Sequence, residues 1–253
     1  MKSLRRSDIG SFKAIVLAAG KGVRMGSDLP KVLHVLHGRP LVAHVVESLR
    51  RAGADEIIAV VGHRGEEVAG ALGPEARCVW QREQKGTGHA VMQAEPALRG
   101  YGGPVLIACG DVPLIRPSTF SAMAVEASRA GVRGVVLGMV PPDPRGYGRL
   151  VRDSEGRLER IVEERDATDD QRKIAEVNTG TYIFYAGDLF EGLRTITTDN
   201  AQGEYYLPDI VGYVRGIGGE VRTILLRDAI EGGGVNTPGD LRRLEESLGH
   251  TMA

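Results

Sequence analysis

The sequence predicts an α/β protein in which a doubly wound, mostly parallel sheet carries a smaller β-rich lobe. Up to about residue 130, short continuous apolar segments alternate with segments of helical periodicity. Continuous apolar segments are typical of parallel strands, because helices cover both faces of such a sheet. After residue 146 the pattern changes to alternating apolar and polar residues around residues 154–156, which indicates an antiparallel hairpin.

The first half of the chain supplies the strands and helices of the predicted sheet. Strands are predicted at residues 14–17, 56–62, 76–81 and 104–111. Helices are predicted at residues 40–54, 64–73, 87–100 and 118–130. Right-handed crossovers would give a Rossmann-like sheet, which binds ligands at the carboxyl ends of its strands. The Gly20 loop, Gln81 and Asp111 all follow predicted strands, so we expect them at one edge of the sheet.

The second half of the chain is predicted to form the lobe and to complete the sheet. The β-rich lobe is expected over residues 142–186, laid over the edge of the sheet and including a strand at 175–185. A helix at 203–216, a strand at 220–228 and a closing helix at 237–250 follow, with Thr237 as N-cap. No linker divides the chain, so residues 1–253 are expected to form one domain with an N-terminal extension at 1–12.

The composition argues against several classes of partner. The formal net charge is −1, whereas a general binder of nucleic acid or of membrane surfaces usually has a basic excess. No segment approaches the ~18 apolar residues of a membrane span. The basic N-terminus lacks the apolar core of a secretion signal. Cys78 and Cys109 fit no zinc spacing, and we expect them to be reduced thiols of a cytoplasmic protein.

The segment LAAGKGVRMGSDLPK, residues 17–31, predicts a phosphate-binding loop after the first strand. Gly20 and Gly22 let backbone N–H groups approach an anion without obstruction by side chains. Arg24 can hold two phosphate oxygens at once, and Lys31 supplies a compact charge where charge develops on a reacting phosphate. Taken alone, the segment is also compatible with a basic surface turn.

Two other glycine-rich loops are disfavoured. A Walker loop requires G-x-x-x-x-G-K-[ST], and the chain contains no such string. A dinucleotide fingerprint requires G-x-G-x-x-G, but Met25 occupies the third glycine position. The acidic partner of the ribose would then have to be Glu47, which lies inside a predicted helix.

The loop resembles the L-x-x-G-x-G-x-R-[ML]…P-K motif of the sugar-1-phosphate nucleotidyltransferases, through Leu17, Gly20, Gly22, Arg24, Met25, Pro30 and Lys31. QREQKGTGHA at 81–90 resembles Q-x-E-Q-x-G-T-G-H-A of the bacterial N-acetylglucosamine-1-phosphate uridyltransferases. Further segments resemble that family in the same order: ACGDVPL, GYGRL, IVEERDAT, EVNTGTYIF, NAQGEYYLPD and GGGVNTP. The resemblance covers residues 14–248 and implies the nucleotide-diphospho-sugar transferase fold with a sugar-binding lobe.

The resemblance also implies a set of site residues. The implied nucleotide-binding residues are Leu17, Ala18, Ala19, Gly20, Lys21, Gly22, Arg24, Lys31, Gln81, Gly86, Thr87, Cys109 and Gly110. The implied sugar-binding residues are Gly148, Glu163, Asn178 and Asn236, with Tyr205 and Tyr206 as walls of the pocket. Asp111 and Asn236 would hold Mg²⁺, and Arg24, Lys31 and Asp111 would serve catalysis. Cys109 stands where the family usually has tyrosine.

The implied activity converts UTP and N-acetyl-α-D-glucosamine 1-phosphate into UDP-N-acetylglucosamine and pyrophosphate, for cell-wall (peptidoglycan) synthesis. The attacking phosphate is already ionised, since a phosphate monoester has a second pKa near ~6. In-line attack on the α-phosphorus therefore needs no general base. Catalysis would consist of alignment and of charge neutralisation by Mg²⁺ and the basic residues.

Two alternatives remain open on the sequence. One is a sister nucleotidyltransferase for another sugar 1-phosphate or base, and the other is a non-catalytic sugar-nucleotide-binding module. The joint presence of Arg24, Lys31, Asp111 and Asn236 favours an enzyme. The family usually continues into a hexapeptide-repeat acetyltransferase domain. The sequence has no [LIV]-G-x-x-x-x period, so acetyl transfer and an obligate protein partner are not expected.

Overall fold

The computed structural model describes residues 11–251, with side chains described for residues 11–248. The predicted extension at 1–12 falls mostly outside the described residues, and Phe12 already belongs to the first strand. The described strands are β1 (Phe12–Ala18), β2 (Val35–Leu36), β3 (Arg39–Pro40), β4 (Ala54–Val61), β5 (Arg77–Trp80), β6 (Pro104–Cys109), β7 (Val132–Met139), β8 (Arg149–Arg152), β9 (Leu158–Val162), β10 (Val177–Tyr185) and β11 (Glu220–Leu225). The described α-helices are α1 (Leu41–Ala52), α2 (Gly65–Leu72), α3 (Thr87–Met92), α4 (Pro117–Ala127), α5 (Asp169–Arg172), α6 (Ala186–Leu193), α7 (Ile210–Gly216) and α8 (Pro238–Thr251).

The large sheet is mixed and mostly parallel. Its strands run in the order β11-β7-β10-β6-β1-β4-β5. The pairs β1–β4, β1–β6, β4–β5 and β7–β11 are parallel, whereas β10 runs antiparallel to both β6 and β7. The mostly parallel α/β sheet predicted from the sequence is therefore confirmed. None of the helices described within residues 11–251 is long and apolar enough to cross a bilayer.

Apolar side chains cover both faces of this sheet. In β1, Ala14 and Val16 belong to the buried cluster that contains Val42 of α1. The intervening Ile15 belongs to a second cluster, which contains Leu189 of α6. Successive side chains of a strand point to opposite faces, so a strand buried on both sides must be apolar throughout. This constraint explains the continuous apolar segments of the sequence.

The lobe differs from the prediction in the placement of β10. β8 and β9 form the predicted antiparallel hairpin, in which Gly156 has a left-handed φ of 77°. β10 lies between β6 and β7 inside the large sheet, and not in a lobe over its edge. Its successive residues Tyr182, Ile183 and Phe184 are at most 2 % exposed, as expected for a central strand. Among the described strands of this sheet, β8 and β9 branch away from it, at the start of β10.

Helix ends are less well predicted than strand positions. The helix predicted from Thr87 ends at Met92, and a tight turn containing Pro96 follows it. The helix predicted over 203–216 begins only at Ile210, after a tight turn containing Pro208. Proline lacks the N–H group that a continuous helix needs. The sequence pattern gives no clear signal for α6, because two glycines interrupt its eight residues.

A buried carboxylate fixes the segment that leads into the Asn236 loop. Glu231 lies in a 3-10 turn, Ala229–Gly232, and is 6 % exposed. Its carboxylate accepts hydrogen bonds from the Arg116 N–H (3.0 Å) and from the Thr119 hydroxyl, at the start of α4. N–H groups at a helix start have no partner within the helix, so the contact stabilises both segments.

We expect Glu231→Ala to lower the free energy of unfolding by about 2–3 kcal/mol, because two donors lose a charged acceptor. Urea denaturation followed by circular dichroism measures this change. Glu159→Ala, an exposed position on β9, is the matched control and should change stability by less than about 0.5 kcal/mol. Equal effects of the two substitutions would contradict the anchoring role of Glu231.

Candidate active site

The phosphate loop folds back against Lys31. The loop leaves β1 at Ala18, and Gly22 adopts a left-handed conformation with a φ of 65°. A Cβ atom on Gly22 would lie 2.5 Å from the Cβ of Lys31, so a side chain there would collide with the lysine. Glycine therefore permits both the turn and the close approach. Gly20, by contrast, has open space beside it.

Lys31 is the centre of the site. Its ammonium group forms an ion pair with the Asp111 carboxylate and donates to the Asn236 amide oxygen (Nζ–Oδ1, 3.0 Å). The Arg24 guanidinium donates to the same Asn236 oxygen, also over 3.0 Å. The side chains of Lys31 and Asp111 are only 18 % and 16 % exposed. Residues from three separate parts of the sequence thus meet in one ion cluster, in which Lys31 and Asp111 are largely buried and Arg24 is exposed.

Backbone contacts hold Asp111 and Asn236 beside each other. The Val235 N–H donates to the Asp111 carbonyl oxygen over 2.9 Å. The Asp240 carboxylate accepts a hydrogen bond from the Asn236 N–H over 3.0 Å. Thr237 caps α8 as predicted, since its hydroxyl accepts from the Asp240 N–H. A strand end and a helix start therefore fix the position of Asn236.

The Asp111–Asn236 pair fits a magnesium ion. A carboxylate and an amide oxygen are hard ligands, and magnesium in phosphate chemistry keeps several waters and takes substrate phosphates as further ligands. The Lys31 ammonium, itself a cation, contacts both side chains. Within residues 11–248, no group of three or more His, Cys, Asp and Glu side chains could hold a metal ion. A site completed by substrate phosphates does not require such a group.

Gln81 follows β5 and is 4 % exposed. Its amide nitrogen donates to the Gly86 carbonyl oxygen (3.1 Å) and lies 3.1 Å from Nδ1 of His89. The amide nitrogen is therefore used inside the protein, and the amide oxygen is the group that can accept from a base. Residue-by-residue reasoning misses Gln84, which donates to the Ala19 carbonyl oxygen over 2.8 Å. In the sequence, Gln84 is visible as the second glutamine of QREQKGTGHA.

The turn at residues 86–88 packs against the loop that carries Tyr205. The Gly88 N–H donates to the Tyr205 carbonyl oxygen over 2.8 Å. The Thr87 hydroxyl accepts from the Leu207 N–H over 3.1 Å, so it helps to hold this loop. A Cβ atom on Gly86 would lie only 2.6 Å from the Tyr205 carbonyl oxygen. Glycine at this position is therefore required by packing within the protein.

Gly148, Glu163 and Asn178 form a second cluster, on the lobe side. The Asn178 N–H donates to the Gly148 carbonyl oxygen over 2.8 Å, and its amide nitrogen donates to the Tyr182 hydroxyl over 2.5 Å. A Cβ atom on Gly148 would lie 3.2 Å from the Glu163 carboxylate. Three of the four predicted sugar-side residues are thus brought together. The fourth, Asn236, lies in the Lys31 cluster.

Burial and acidic neighbours raise the pKa of Glu163. Burial, followed by repulsion from Asp166, Asp209 and Glu204, raises the pKa of Glu163 to about 7. An ordinary glutamic acid titrates well below this value. Glu163 therefore changes charge near neutral pH, which makes hydrogen bonding by this carboxyl group sensitive to pH.

The two tyrosines of NAQGEYYLPD face different parts of the site. The Tyr206 hydroxyl donates to the Asp166 carboxylate over 3.1 Å, which places it on the lobe side. Tyr205 stacks on His89 with ring centroids 6.4 Å apart, next to Gln81. The prediction that both tyrosines wall a single sugar pocket therefore needs refinement, because Tyr205 belongs to the Gln81 side.

Arg149 supports the loop that carries Gly148, a role that sequence reasoning misses. The side chain is 1 % exposed, and its guanidinium pairs with Glu164 over 2.7 Å. It also donates to the carbonyl oxygens of Tyr147 and Arg172, the latter over 3.3 Å. A buried charge is stable only when it is paired and hydrogen-bonded. In the sequence, this arginine is visible as the fourth residue of the GYGRL segment.

Cys109 lies between the two clusters. Its thiol is 3.5 Å from the Gly180 carbonyl oxygen, to which it donates. Burial, and then the charge of Asp111, raises the pKa of the Cys109 thiol to about 12. The thiol therefore stays protonated at neutral pH. Cys109 and Cys78 are both free thiols.

Comparison with known proteins identifies a matching family and several relatives. Residues 14–205 match the MobA-like NTP transferase domain. The "Bifunctional protein GlmU" of Heliobacterium modesticaldum is 46 % identical over 235 residues, which is 93 % of this chain and 51 % of that protein. The protein of the same name from Geobacillus thermodenitrificans is 46 % identical over 208 residues, 82 % and 45 % of the respective chains. The chain thus spans about half the length of the curated relatives it matches.

A solved structure supports the fold. A nucleotidyl transferase from Methanothermobacter thermautotroptrophicus matches with a TM-score of 0.67 and 22 % sequence identity. The match covers 95 % of this chain and 99 % of that chain. At this level of identity, the match shows that the two chains share a fold.

We expect Gly86→Ala to destabilise the protein more than an alanine at another glycine-only backbone position, because its Cβ would collide with the Tyr205 carbonyl oxygen. Gly73→Ala is the matched control. Both glycines have positive φ and extended ψ, but nothing lies within 4 Å of a Cβ atom on Gly73. The backbone strain alone should cost about 1–3 kcal/mol. Chemical denaturation compares the two, and equal losses would contradict the packing argument.

Proposed function

Since the chain belongs to the MobA-like NTP transferase domain family, we propose that it transfers the uridylyl group of UTP to N-acetyl-α-D-glucosamine 1-phosphate. The products are UDP-N-acetylglucosamine and pyrophosphate. The observation that supports this most is the ion cluster in which Lys31 meets Asp111 and Asn236, with Arg24 on the same amide oxygen. These are the groups that phosphoryl transfer by alignment and charge neutralisation requires.

The phosphate-binding roles follow from the chemistry of each side chain. Arg24, with Lys21 on the same loop, holds the departing pyrophosphate, because a guanidinium can grip two phosphate oxygens. Lys31 binds the reacting α-phosphate and stabilises the charge that develops there. The backbone from Leu17 to Gly22 lies against the triphosphate, where open space beside Gly20 admits it. The sugar phosphate attacks in line and needs no general base.

Asp111 and Asn236 hold the divalent cation. When bound, Mg²⁺ supplies positive charge that draws the phosphates into line and offsets the charge on the leaving group. The two protein ligands contribute orientation, because hydrogen bonds from Val235 and to Asp240 fix their loops. Because these hydrogen bonds already hold the two ligands in place, the protein does not have to reorganise at the moment of reaction.

The base and the sugar are recognised by neutral and acidic groups. The amide oxygen of Gln81 accepts from the uracil N–H, since the amide nitrogen is used inside the protein. Glu163 and Asn178 contact the hydroxyl and acetamido groups of the sugar, and the Gly148 backbone lies beside them. Ionised Glu163 accepts hydrogen bonds from sugar hydroxyls, which an uncharged carboxyl group does less well.

The substrate set distinguishes this proposal from its nearest alternative, a nucleotidyltransferase for another sugar 1-phosphate or base. A panel of nucleoside triphosphates and sugar phosphates, followed by pyrophosphate release, separates the two. UTP with N-acetylglucosamine 1-phosphate should give the highest kcat/KM. Binding of the nucleotide sugar without turnover under any metal condition would instead support a non-catalytic module.

We expect Asp111→Ala to lower kcat at least about 100-fold, because the divalent cation loses a ligand and the loss of one preorganised electrostatic contact has effects of this size. Pyrophosphate release from UTP and N-acetylglucosamine 1-phosphate, with and without Mg²⁺, provides the measurement. Asp170→Ala, an exposed position on α5, is the control and should retain activity. Near-normal turnover of a folded Asp111→Ala variant would refute the proposed role of this carboxylate.

We expect the KM for the sugar phosphate to fall as the pH rises through about 7, because ionisation of Glu163 creates the hydrogen-bond acceptor. The pH dependence of KM tests this when it is measured over about three pH units, from about 5.5 to 8.5, which bracket the pKa of Glu163. The second pKa of the sugar phosphate lies near ~6 and adds a transition of its own. Glu163→Gln should remove only the transition near neutral pH. If the pH profile of KM is the same in Glu163→Gln as in the unmodified protein, Glu163 is not the source of the transition.

A further inference from the structure

We infer that Lys31 is an intramolecular counter-cation for the metal ligands: in the ligand-free protein its ammonium group occupies the position between Asp111 and Asn236 that a divalent cation takes, and the cation must displace it. The inference rests on the proposed function for the cation site at Asp111 and Asn236 and for the identity of that cation. It concerns how the chain keeps the two ligands paired when no substrate is present.

The geometry makes the two occupants mutually exclusive. Nζ of Lys31 lies 3.0 Å from Oδ1 of Asn236 and within ion-pair distance of the Asp111 carboxylate. Magnesium binds oxygen ligands at about 2.0–2.1 Å. A divalent ion on the same two oxygens would approach the ammonium group closely, and two cations at that separation repel each other strongly in a partly buried site. The ammonium group must therefore leave when the ion enters.

The structure confines the movement to the lysine side chain. The Cβ of Lys31 packs against Gly22 so closely that a Cβ atom on Gly22 would collide with it. Beyond Cβ, the flexible stem of lysine lets the charge move while the backbone stays in place. The Arg24 guanidinium donates to the same Oδ1 of Asn236 and would then lie close to the divalent ion, which repels it. The ion therefore weakens the contacts of both basic groups with Asn236.

The released charges need new partners, and a triphosphate supplies them. Without nucleotide, a divalent cation that binds Asp111 and Asn236 takes these two acceptors away from the Lys31 and Arg24 charges. With nucleotide, the phosphate oxygens pair with both side chains and with the cation. The Lys31 contact therefore weakens the binding of free metal and has a smaller effect on the binding of a metal–nucleotide complex. Asp111 stays paired in every state, so its largely buried charge is never isolated.

The test is Mn²⁺ binding to the full chain without nucleotide or sugar, measured by isothermal titration calorimetry and by the electron paramagnetic resonance signal of free Mn²⁺. Lys31→Met keeps the length of the side chain and removes the charge. We expect it to bind Mn²⁺ about tenfold more tightly than the unmodified protein, because the competing cation is gone. Equal or weaker binding by the folded variant would overturn the inference.

Lys21→Met is the matched control. Lys21 lies on the same loop and is exposed, so its substitution removes one positive charge from the same region without removing the contact to Asp111 and Asn236. Its Mn²⁺ affinity should stay within about twofold of the unmodified protein, because exposed charges at a distance are screened. An equal gain in both variants would indicate a general field effect and would also overturn the inference.

The two proposals can fail separately. The Mn²⁺ measurement uses no substrate, so tighter binding by Lys31→Met supports the counter-cation role even if the substrate panel assigns another sugar or base. Conversely, an active uridyltransferase in which Lys31→Met leaves the Mn²⁺ affinity unchanged keeps its function and loses only this inference. Should Lys31→Met fail to fold, Lys31→Gln provides a second uncharged side chain for the same titration.

Discussion

The ion cluster at Lys31 is the interaction on which the rest of the site depends. One ammonium group connects a residue that follows β6, Asp111, with a residue that precedes α8, Asn236. Charges that lie largely out of bulk water are costly unless they are paired, so the fold must bring these distant segments to one place. The close approach at Gly22 and the hydrogen bond from Val235 to Asp111 achieve this. In the structure these side chains pair with one another, and in the proposed mechanism substrates replace those partners.

The distribution of charge over the two clusters suits a sugar phosphate. Basic groups, Arg24 and Lys31, lie at the phosphate loop, whereas Glu163 lies among other carboxylates on the lobe side. A ligand with an anionic end and a hydroxyl-rich end is therefore attracted in one orientation, since electrostatic complementarity fixes register more than it adds affinity. Burial, and then the proximity of these carboxylates, raises the pKa of Glu163 toward neutrality. The same clustering thus makes the sugar side responsive to pH.

The sequence predicts the sheet better than the lobe, for physical reasons. A strand buried on both faces must be apolar throughout, so β1, β4 and β6 are recognisable from local sequence. The position of β10 depends on its pairing with β6 and β7, and no local pattern encodes which strands become neighbours. The phosphate loop was recognisable because glycine and basic residues occur there at fixed spacing. Arg149 and Gln84 were missed because their roles depend on contacts with residues distant in sequence, to Glu164 and to the Ala19 carbonyl oxygen.

The site is proposed to hold one cation between Asp111 and Asn236, in a position that Lys31 fills until substrate arrives. The most direct test is a crystal structure of the full chain with Mn²⁺ and a non-hydrolysable UTP analogue, in which anomalous scattering locates the metal. We expect a peak at coordination distance from the Asp111 carboxylate and the Asn236 amide oxygen, with the Lys31 ammonium moved onto a phosphate oxygen. A metal bound elsewhere, with Lys31 still between Asp111 and Asn236, would contradict this proposal.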